Sequence, residues 1–381
     1  MIPLPKRLEQ FPEYIFSSLT RDAKKLEKET GKKILDLSVG SPTYPPSKDY
    51  TEVLKNAIDD PKSYLYPGYG ATQAFAEALI QWYKTRFNVA LEQNELFPLL
   101  GGKDGVSHMP LALADVGGEI LVPDPGYPAF VGPALLMGSV VVPYLLPEES
   151  NFKLNITEIE KKISKKTQLL WVNFPSNPTG QVISLAELEP IVWLCKKKNI
   201  WLVYDNAYAE ITYDGYVSPS VLQVPGAKEV AVELGSFSKM YSFAGLRMGW
   251  AVGNQRVIAA LAKVKSQFDS GLSFSLQQLG AYALTHPDKK WHEAMIHEYQ
   301  RKKKILMDIF TSWGLTINDS QGALYLWAKI PETYENSVEY AADLLQTKHI
   351  LVTPGSAFGK NGVRHVRISF SSDITNLAQY L

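Results

Sequence analysis

Lys239 sits in the stretch GSFSKMYSFAGLRMGW together with Ser236, Ser238 and Arg247, so one amine shares a strand-to-turn transition with two hydroxyls and a guanidinium. An amine that is to form an imine must spend time uncharged, and a fixed cation nearby favours that state by lowering the lysine pKa. Arg247 is the cation this segment offers. The two serines and the arginine also supply what a phosphate monoester requires, neutral donors and a bidentate fork. A reactive lysine beside a phosphate cup points to pyridoxal phosphate.

Other motifs can be weighed against that cofactor. Asp205 closes the apolar run WLVYD, at the carboxyl end of a strand where α/β proteins place ligands. A buried carboxylate there needs a partner, and a protonated pyridine nitrogen would be one; taken alone, Asp205 is also a fair helix cap. Tyr208 follows three residues on, and Asn177 lies in the twice-turning NFPSNPTG; the two together can hydrogen-bond a phenolate oxygen, although Asn177 by itself also suits a turn. In GGKDGVSH, Gly101 and Gly102 permit a sharp turn that aims the amides of Lys103 and Asp104 at an anion on a helix N-terminus, provided that the Asp104 side chain points away. Tyr127 in DPGYP can lay its ring over a pyridine or simply pack.

Arg367 stands in an alternating strand, with Val366 and Ile368 on the opposite face, and suits bidentate capture of a substrate carboxylate. Its alternative is a surface arginine with a buried stem, and Arg364 competes for the same role. His108 and His365 lack metal-ligand spacing and read as structural. Cys195, the only cysteine, rules out an intrachain disulfide and reads as a buried thiol in a helix.

These residues need a scaffold. A chain of 381 residues has room for two or three domains at about 150 residues each. The 39 basic and 39 acidic side chains cancel, which leaves no footprint for nucleic acid or an anionic membrane. No apolar run reaches the length of a membrane span, and MIPLPKRLEQFPEYIF lacks the pattern of a signal peptide, so the expected home is the cytoplasm. Short apolar runs alternate with amphipathic stretches, which predicts an α/β fold built on a mostly parallel sheet. The expected strands are Leu96 to Leu100, Glu119 to Val122, Val140 to Leu145, Gln168 to Phe174, Trp201 to Asp205, Val230 to Gly235 and Gly249 to Val252. A helix over Ala71 to Phe87 places Ala74, Phe75, Ala78, Leu79, Trp82 and Tyr83 on one face, and Ser184 to Lys198 opens with a capping box closed by Glu187.

Both ends of the chain depart from the alternation. A charged helix over Tyr14 to Thr30, ended by Gly31, precedes a short strand over Ile34 to Leu37. Beyond about residue 280 come helical patterns over Lys289 to Trp313 and Ser337 to Lys348, and strands over Ala323 to Ile330 and His365 to Phe370. The expected division is a large domain over residues 46–280 and a smaller α+β domain from residues 1–45 and 281–381, with a ligand cleft between them.

The ordered series LSVGSP, YPGYG, GGKDG, DPGYP, NFPSNPTG, YDNAY, SFSKMYSFAGLRMGW, VTPGSAFG and VRISF resembles the fold-type I, pyridoxal-phosphate-dependent aminotransferases of class I/II. The resemblance implies a three-layer large domain, Lys239 as the Schiff-base lysine, and Asp205 paired with the pyridine nitrogen. It implies Asn177 and Tyr208 on the phenolate oxygen and Tyr127 on the ring. Ser236, Ser238, Arg247 and the amides of Gly102, Lys103 and Asp104 would hold the phosphate. Arg367 would take the substrate α-carboxylate, with the loop at Gly40 closing over it, and no metal is called for. It further implies a homodimer with shared sites, in which Tyr66 reaches the partner's phosphate; Ala71 and Ala76 depart from the family's usual glycine and arginine there.

The substrates implied are an amino acid and a 2-oxo acid. The wording of GGKDGVSHMPLALADVGGEILVPDPGYPAF looks most like LL-diaminopimelate aminotransferases and their aspartate or alanine aminotransferase relatives, with succinyldiaminopimelate aminotransferases also in view. A carbon-sulfur β-lyase would use the same lysine, aspartate and arginine. A non-enzymatic cofactor-sensing regulator would carry an added DNA-binding segment, which the sequence does not contain.

Overall fold

In the computed structural model, Pro5, Leu8 and residues 15–381 are described. The strands in chain order are β1 (Leu35–Asp36), β2 (Leu96–Leu99), β3 (Glu119–Asp124), β4 (Val140–Leu145), β5 (Thr167–Asn173), β6 (Trp201–Asp205), β7 (Ala231–Ser236), β8 (Gly249–Gly253), β9 (Thr316–Asn318), β10 (Tyr325–Lys329), β11 (Ile350–Leu351), β12 (Thr353–Pro354) and β13 (His365–Ser369).

A seven-stranded sheet in the order β2-β8-β7-β6-β5-β3-β4 forms the centre. Its strands run parallel except that β8 is antiparallel to both β2 and β7. The inner strands β5, β6 and β7 are almost entirely buried because helices cover both faces, and the one charged side chain short of their ends, Glu233, is held by Tyr83 and Ser220. Alternate residues serve the two layers: Leu170, Val172, Leu202 and Tyr204 pack with Phe75, Leu79 and Ile191 on one side. Leu169, Trp171 and Val203 pack with Met109, Phe130 and Leu261 on the other.

The helix over Gln73–Phe87 starts at Thr72, whose hydroxyl accepts the Phe75 amide at 3.3 Å. Its buried side includes Phe75, Ala76, Ala78, Leu79 and Tyr83, whereas Ala74, expected on that face, is exposed. Ala76 is packed in the core, which a long cationic side chain would not permit without rearrangement. The helix over Leu185–Lys198 has the expected reciprocal Ser184 and Glu187 cap.

The second core joins both ends of the described chain. β9, β10, β12 and β13 form an antiparallel sheet, and β1 pairs in parallel with β11 through Leu35↔Ile350 and Asp36↔Leu351. The helices over Ile15–Thr30, Lys289–Ser312 and Ser337–Lys348 accompany them, and Gly31 at φ +70° ends the first with its amide on Glu27. Tyr14, expected to start that helix, lies outside the described residues, as does most of the stretch read for a signal peptide. Tyr208, Ile211 and Tyr213 from mid-chain pack into this core with Tyr299, Leu324 and Phe370. Among the described residues no helix is long and apolar enough to cross a membrane.

Candidate active site

The strand directions gather chemistry at one rim of the central sheet. Asn173, Asp205 and Ser236 are the last residues of β5, β6 and β7, and Arg247 precedes the antiparallel β8. β2 runs into the Gly101–Gly102 turn, which opens the helix over Gly102–Leu113. Across the rim stand Gly40, Tyr325 and Arg367, and together these groups enclose a cavity of ≈ 340 Å³.

Lys239 projects into it from the one-turn helix over Phe237–Met240, and its Nζ donates to the Gly40 carbonyl at 2.5 Å. Burial of the amine, then Arg367, then Arg247, lowers its pKa to about 8. Arg247 does lower it, as expected, but desolvation leads and Arg367 ranks ahead of Arg247. Arg247 is itself exposed and held at φ +55°, with Nη1 on the Ala244 carbonyl at 2.8 Å.

Asp205 is buried, and burial raises its carboxyl pKa to about 7, while the Ala207 amide at 3.3 Å opposes the shift. Among the described residues no cationic side chain pairs with it. A buried carboxylate without a counter-ion fits a cationic ring nitrogen. Its backbone carbonyl accepts from Asn173 Nδ2 at 2.9 Å, and Asn173 Oδ1 in turn receives the Asn177 amide at 3.0 Å.

Arg367 is 2% exposed, in the middle of β13. Nη1 donates to Asn177 Oδ1 at 2.8 Å, and Nη2 to the Ser38 carbonyl and, at 3.5 Å, to Thr353 Oγ1. The guanidinium lies over the rings of Tyr325 and Phe358, at 4.3 and 4.8 Å from their centroids. Arg364, the competitor, faces elsewhere and binds the carbonyls of Pro331, Tyr334 and Glu335 and the Glu332 carboxylate.

The wall of the cavity at the Gly101–Gly102 turn is equally specific. Gly102 and Lys103 bring the first helical turn to the cavity wall beside Ser236, Ser238 and Arg247. Gly101 has φ +89°, and a Cβ there would lie 2.5 Å from Arg247 Nη2, so only glycine lets that guanidinium approach the turn. Tyr127 lines the same cavity, its ring edge-on to Phe130 at 5.6 Å.

One expected residue does not join this wall. The Asp104 amide is bonded to the Gly101 carbonyl at 3.0 Å. Its carboxylate turns away, as required, to accept from Lys265 Nζ at 2.5 Å and the Leu100 amide at 2.8 Å, with His108 Nδ1 at 2.9 Å. Burial would raise this carboxyl, but His108 and Lys265 hold its pKa below the ordinary value. Tyr66 is 89% exposed and outside the cavity of its own chain.

Sequence reasoning missed Tyr325 and Asn173. Tyr325 Oη meets Tyr208 Oη at 2.7 Å, yet in ALYLWAK it has the look of a core strand residue. Asn173 stands only four residues before Asn177, and its place at the end of β5 was the available signal. Cys195 is buried in its helix, as expected, with burial pushing its thiol up to about 12. His365 stacks on Trp327 at 5.1 Å, and burial lowers its pKa to about 4. No metal-holding group occurs among the described residues.

Comparison with known proteins agrees with this geometry. The chain is 39% identical over 375 residues to an LL-diaminopimelate aminotransferase of Aquifex aeolicus, covering 97% of this chain and 95% of that one. It is 35% identical over 367 residues to the LL-diaminopimelate aminotransferase of Gloeobacter violaceus, covering 96% and 93%. Among solved structures, substrate-free BacF of Bacillus subtilis superposes with a TM-score of 0.92 at 31% identity, covering 100% of this chain and 97% of that one. A double mutant of Thermus thermophilus aspartate aminotransferase gives 0.93 at 25% identity, with 100% and 98% coverage. With the family model for aminotransferase class I and II matching residues 32–381, the chain belongs to that family and is a pyridoxal-phosphate-dependent aminotransferase.

Proposed function

We propose that this aminotransferase holds pyridoxal phosphate between the Gly101–Gly102 turn and Asp205, uses Lys239 as covalent anchor and proton carrier, and receives an amino acid by its α-carboxylate at Arg367. The observation that carries the reading is the convergence of a lysine with a pKa lowered to about 8, a counter-ion-free buried aspartate and a buried arginine on one cavity. Ser236, Ser238, Arg247 and the turn at Gly102 and Lys103 hold the phosphate; Asn177 and Tyr208 serve the phenolate oxygen; Tyr127 covers the ring. In a homodimer, Tyr66 of the partner subunit completes the phosphate site. Residues 46–280 act as the large domain and residues 1–45 and 281–381 as the small one, so the cavity lies on their seam, and the expected location is the cytoplasm.

When bound, pyridoxal phosphate supplies a carbonyl for amines and a cationic ring that draws electrons from the substrate Cα. Asp205 keeps the ring nitrogen protonated because its own charge, otherwise costly, is then compensated. Arg367 grips the α-carboxylate with two N–H groups and so sets Cα before Lys239. With the cofactor in place, Lys239 would be the residue that holds it and, as a free amine, the general base that would take up and later give back the substrate Cα proton. The Gly40 loop limits water at the amine.

For the substrate we propose a 2,6-diamino diacid of the diaminopimelate type, with aspartate and alanine as the alternatives. The relatives named above support that order. Steady-state assays with LL-diaminopimelate, aspartate and alanine against 2-oxoglutarate test it. The reading expects amino transfer from at least one donor and a loss of more than about 10⁴-fold in Lys239→Ala. Near-normal transfer by that variant overturns it, and acceptor-independent release of pyruvate and ammonia from cystathionine would identify β-elimination instead.

A further inference from the structure

Tyr325 touches three groups to which the proposed function gives separate tasks. Its hydroxyl lies 2.7 Å from that of Tyr208, and the two rings meet edge to face at 5.9 Å. Its ring underlies the Arg367 guanidinium at 4.3 Å. A Cβ on Gly40 would fall 2.0 Å from its Oη, so the backbone whose carbonyl receives the Lys239 proton is packed directly on this tyrosine. Tyr325 is 3% exposed and belongs to β10, the strand that pairs with the Arg367-bearing β13, whereas Tyr208 follows β6 of the central sheet.

We infer that Tyr325 is a positioning residue with two separable actions: its hydroxyl orients the Tyr208 proton toward the cofactor, and its ring presents Arg367 to the substrate carboxylate. A phenol has one proton to give. If Tyr325 donates to Tyr208, the proton of Tyr208 is committed to the cavity, where an anionic phenolate oxygen is its acceptor. Without that donation, Tyr208 turns between alternatives. The ring action is of a different kind, a cation held over a π face in a water-poor site, which limits where a flexible guanidinium can settle.

The inference rests on the roles proposed for Tyr208 and Arg367, and two substitutions divide it. In the purified holoenzyme, Tyr325→Phe keeps the ring and removes the hydroxyl. The pH midpoint of the cofactor's visible absorbance band is expected to rise by about 0.5 to 1 unit, the worth of one neutral hydrogen bond to the anionic oxygen. KM for the amino donor is expected to stay within about twofold, because the cation–π contact survives. Tyr325→Leu removes both, so the same band shift should be joined by a rise in KM of about 3- to 30-fold. Tyr208→Phe and Arg367→Lys serve as controls. If Tyr208→Phe moves the band and Arg367→Lys raises KM while Tyr325→Phe does neither and Tyr325→Leu raises no KM, the inference fails and the parent reading stands. If the controls themselves are silent, both fall.

Discussion

Lys239 is neutral enough to act because its surroundings make the ammonium expensive. Its folded pKa of about 8 lies below that of a free lysine, so charging it opposes folding below pH 8, and stability recovers as pH rises from there toward the unfolded value. The reactive form follows the same titration. Uptake of pyridoxal phosphate by the cofactor-free protein, followed by stopped-flow absorbance, should accelerate with pH through a midpoint near 8. Arg367→Met should move that midpoint upward by removing a cation that lowers the pKa; a midpoint above about 10 in the wild type, the range of an ordinary lysine, would contradict the site's electrostatics. Asp205 carries the opposite sign: with its pKa raised to about 7, the cofactor-free protein loses stability as pH climbs from about 4 through 7. A cationic ligand restores it, so the stabilisation conferred by the cofactor should be larger at pH 7.5 than at pH 5.5 by thermal unfolding, and an equal or smaller gain at the higher pH would count against the pairing.

At the scale of elements, the site is made where strands stop. The end of β6 was readable because the apolar run WLVYD closes on the polar Asp205, whereas β5 was read one residue past Asn173 and β7 one residue short of Ser236. The Gly101–Gly102 turn was readable too, since its glycines answer a local backbone demand. What holds the turn was not. Asp104 pairs with Lys265, 161 residues away, and nothing local in GGKDG announces that partner. Lys265 and the Asp104 side chain are 2% and 8% exposed, so removing the cation leaves a buried carboxylate behind. Lys265→Met is expected to cost about 3 kcal/mol at pH 7 in chemical denaturation. Because the Asp104 pKa is lowered, the wild-type advantage is present above about pH 4 and is lost as pH falls through the folded value, so the gap between the two proteins should narrow at pH 3. An unchanged denaturation midpoint at pH 7 would show that the pair does not secure the turn. Tyr325 escaped notice for a related reason: its partners Tyr208 and Arg367 meet it only after β10 pairs with β13 and the mid-chain segment packs into the second core.

For the whole molecule, the ordering of motifs along the chain conveyed the fold because parallel strands and their crossovers leave few ways to bring those loops to one rim. The exposed loop at Tyr66 belongs to the same scale: the tyrosine lies outside the cavity of its own chain, and the proposed function assigns it to the site of a partner subunit. The holoenzyme should therefore sediment at twice the chain mass, and Tyr66→Phe should weaken cofactor retention by about 10-fold, the worth of one charge-assisted hydrogen bond, without changing the sedimentation coefficient. A monomer with full cofactor affinity would exclude the shared site. The central claim, that this cavity moves an amino group rather than eliminating a substituent, is tested most directly by a single half-reaction. Holoenzyme is mixed with LL-diaminopimelate, aspartate or alanine in the absence of any 2-oxo acid acceptor, and products are counted per site. Amino transfer predicts one 2-oxo acid per cofactor, disappearance of the visible band and no free ammonia. Continued turnover with ammonia release, or a band that no amino donor alters, would contradict it.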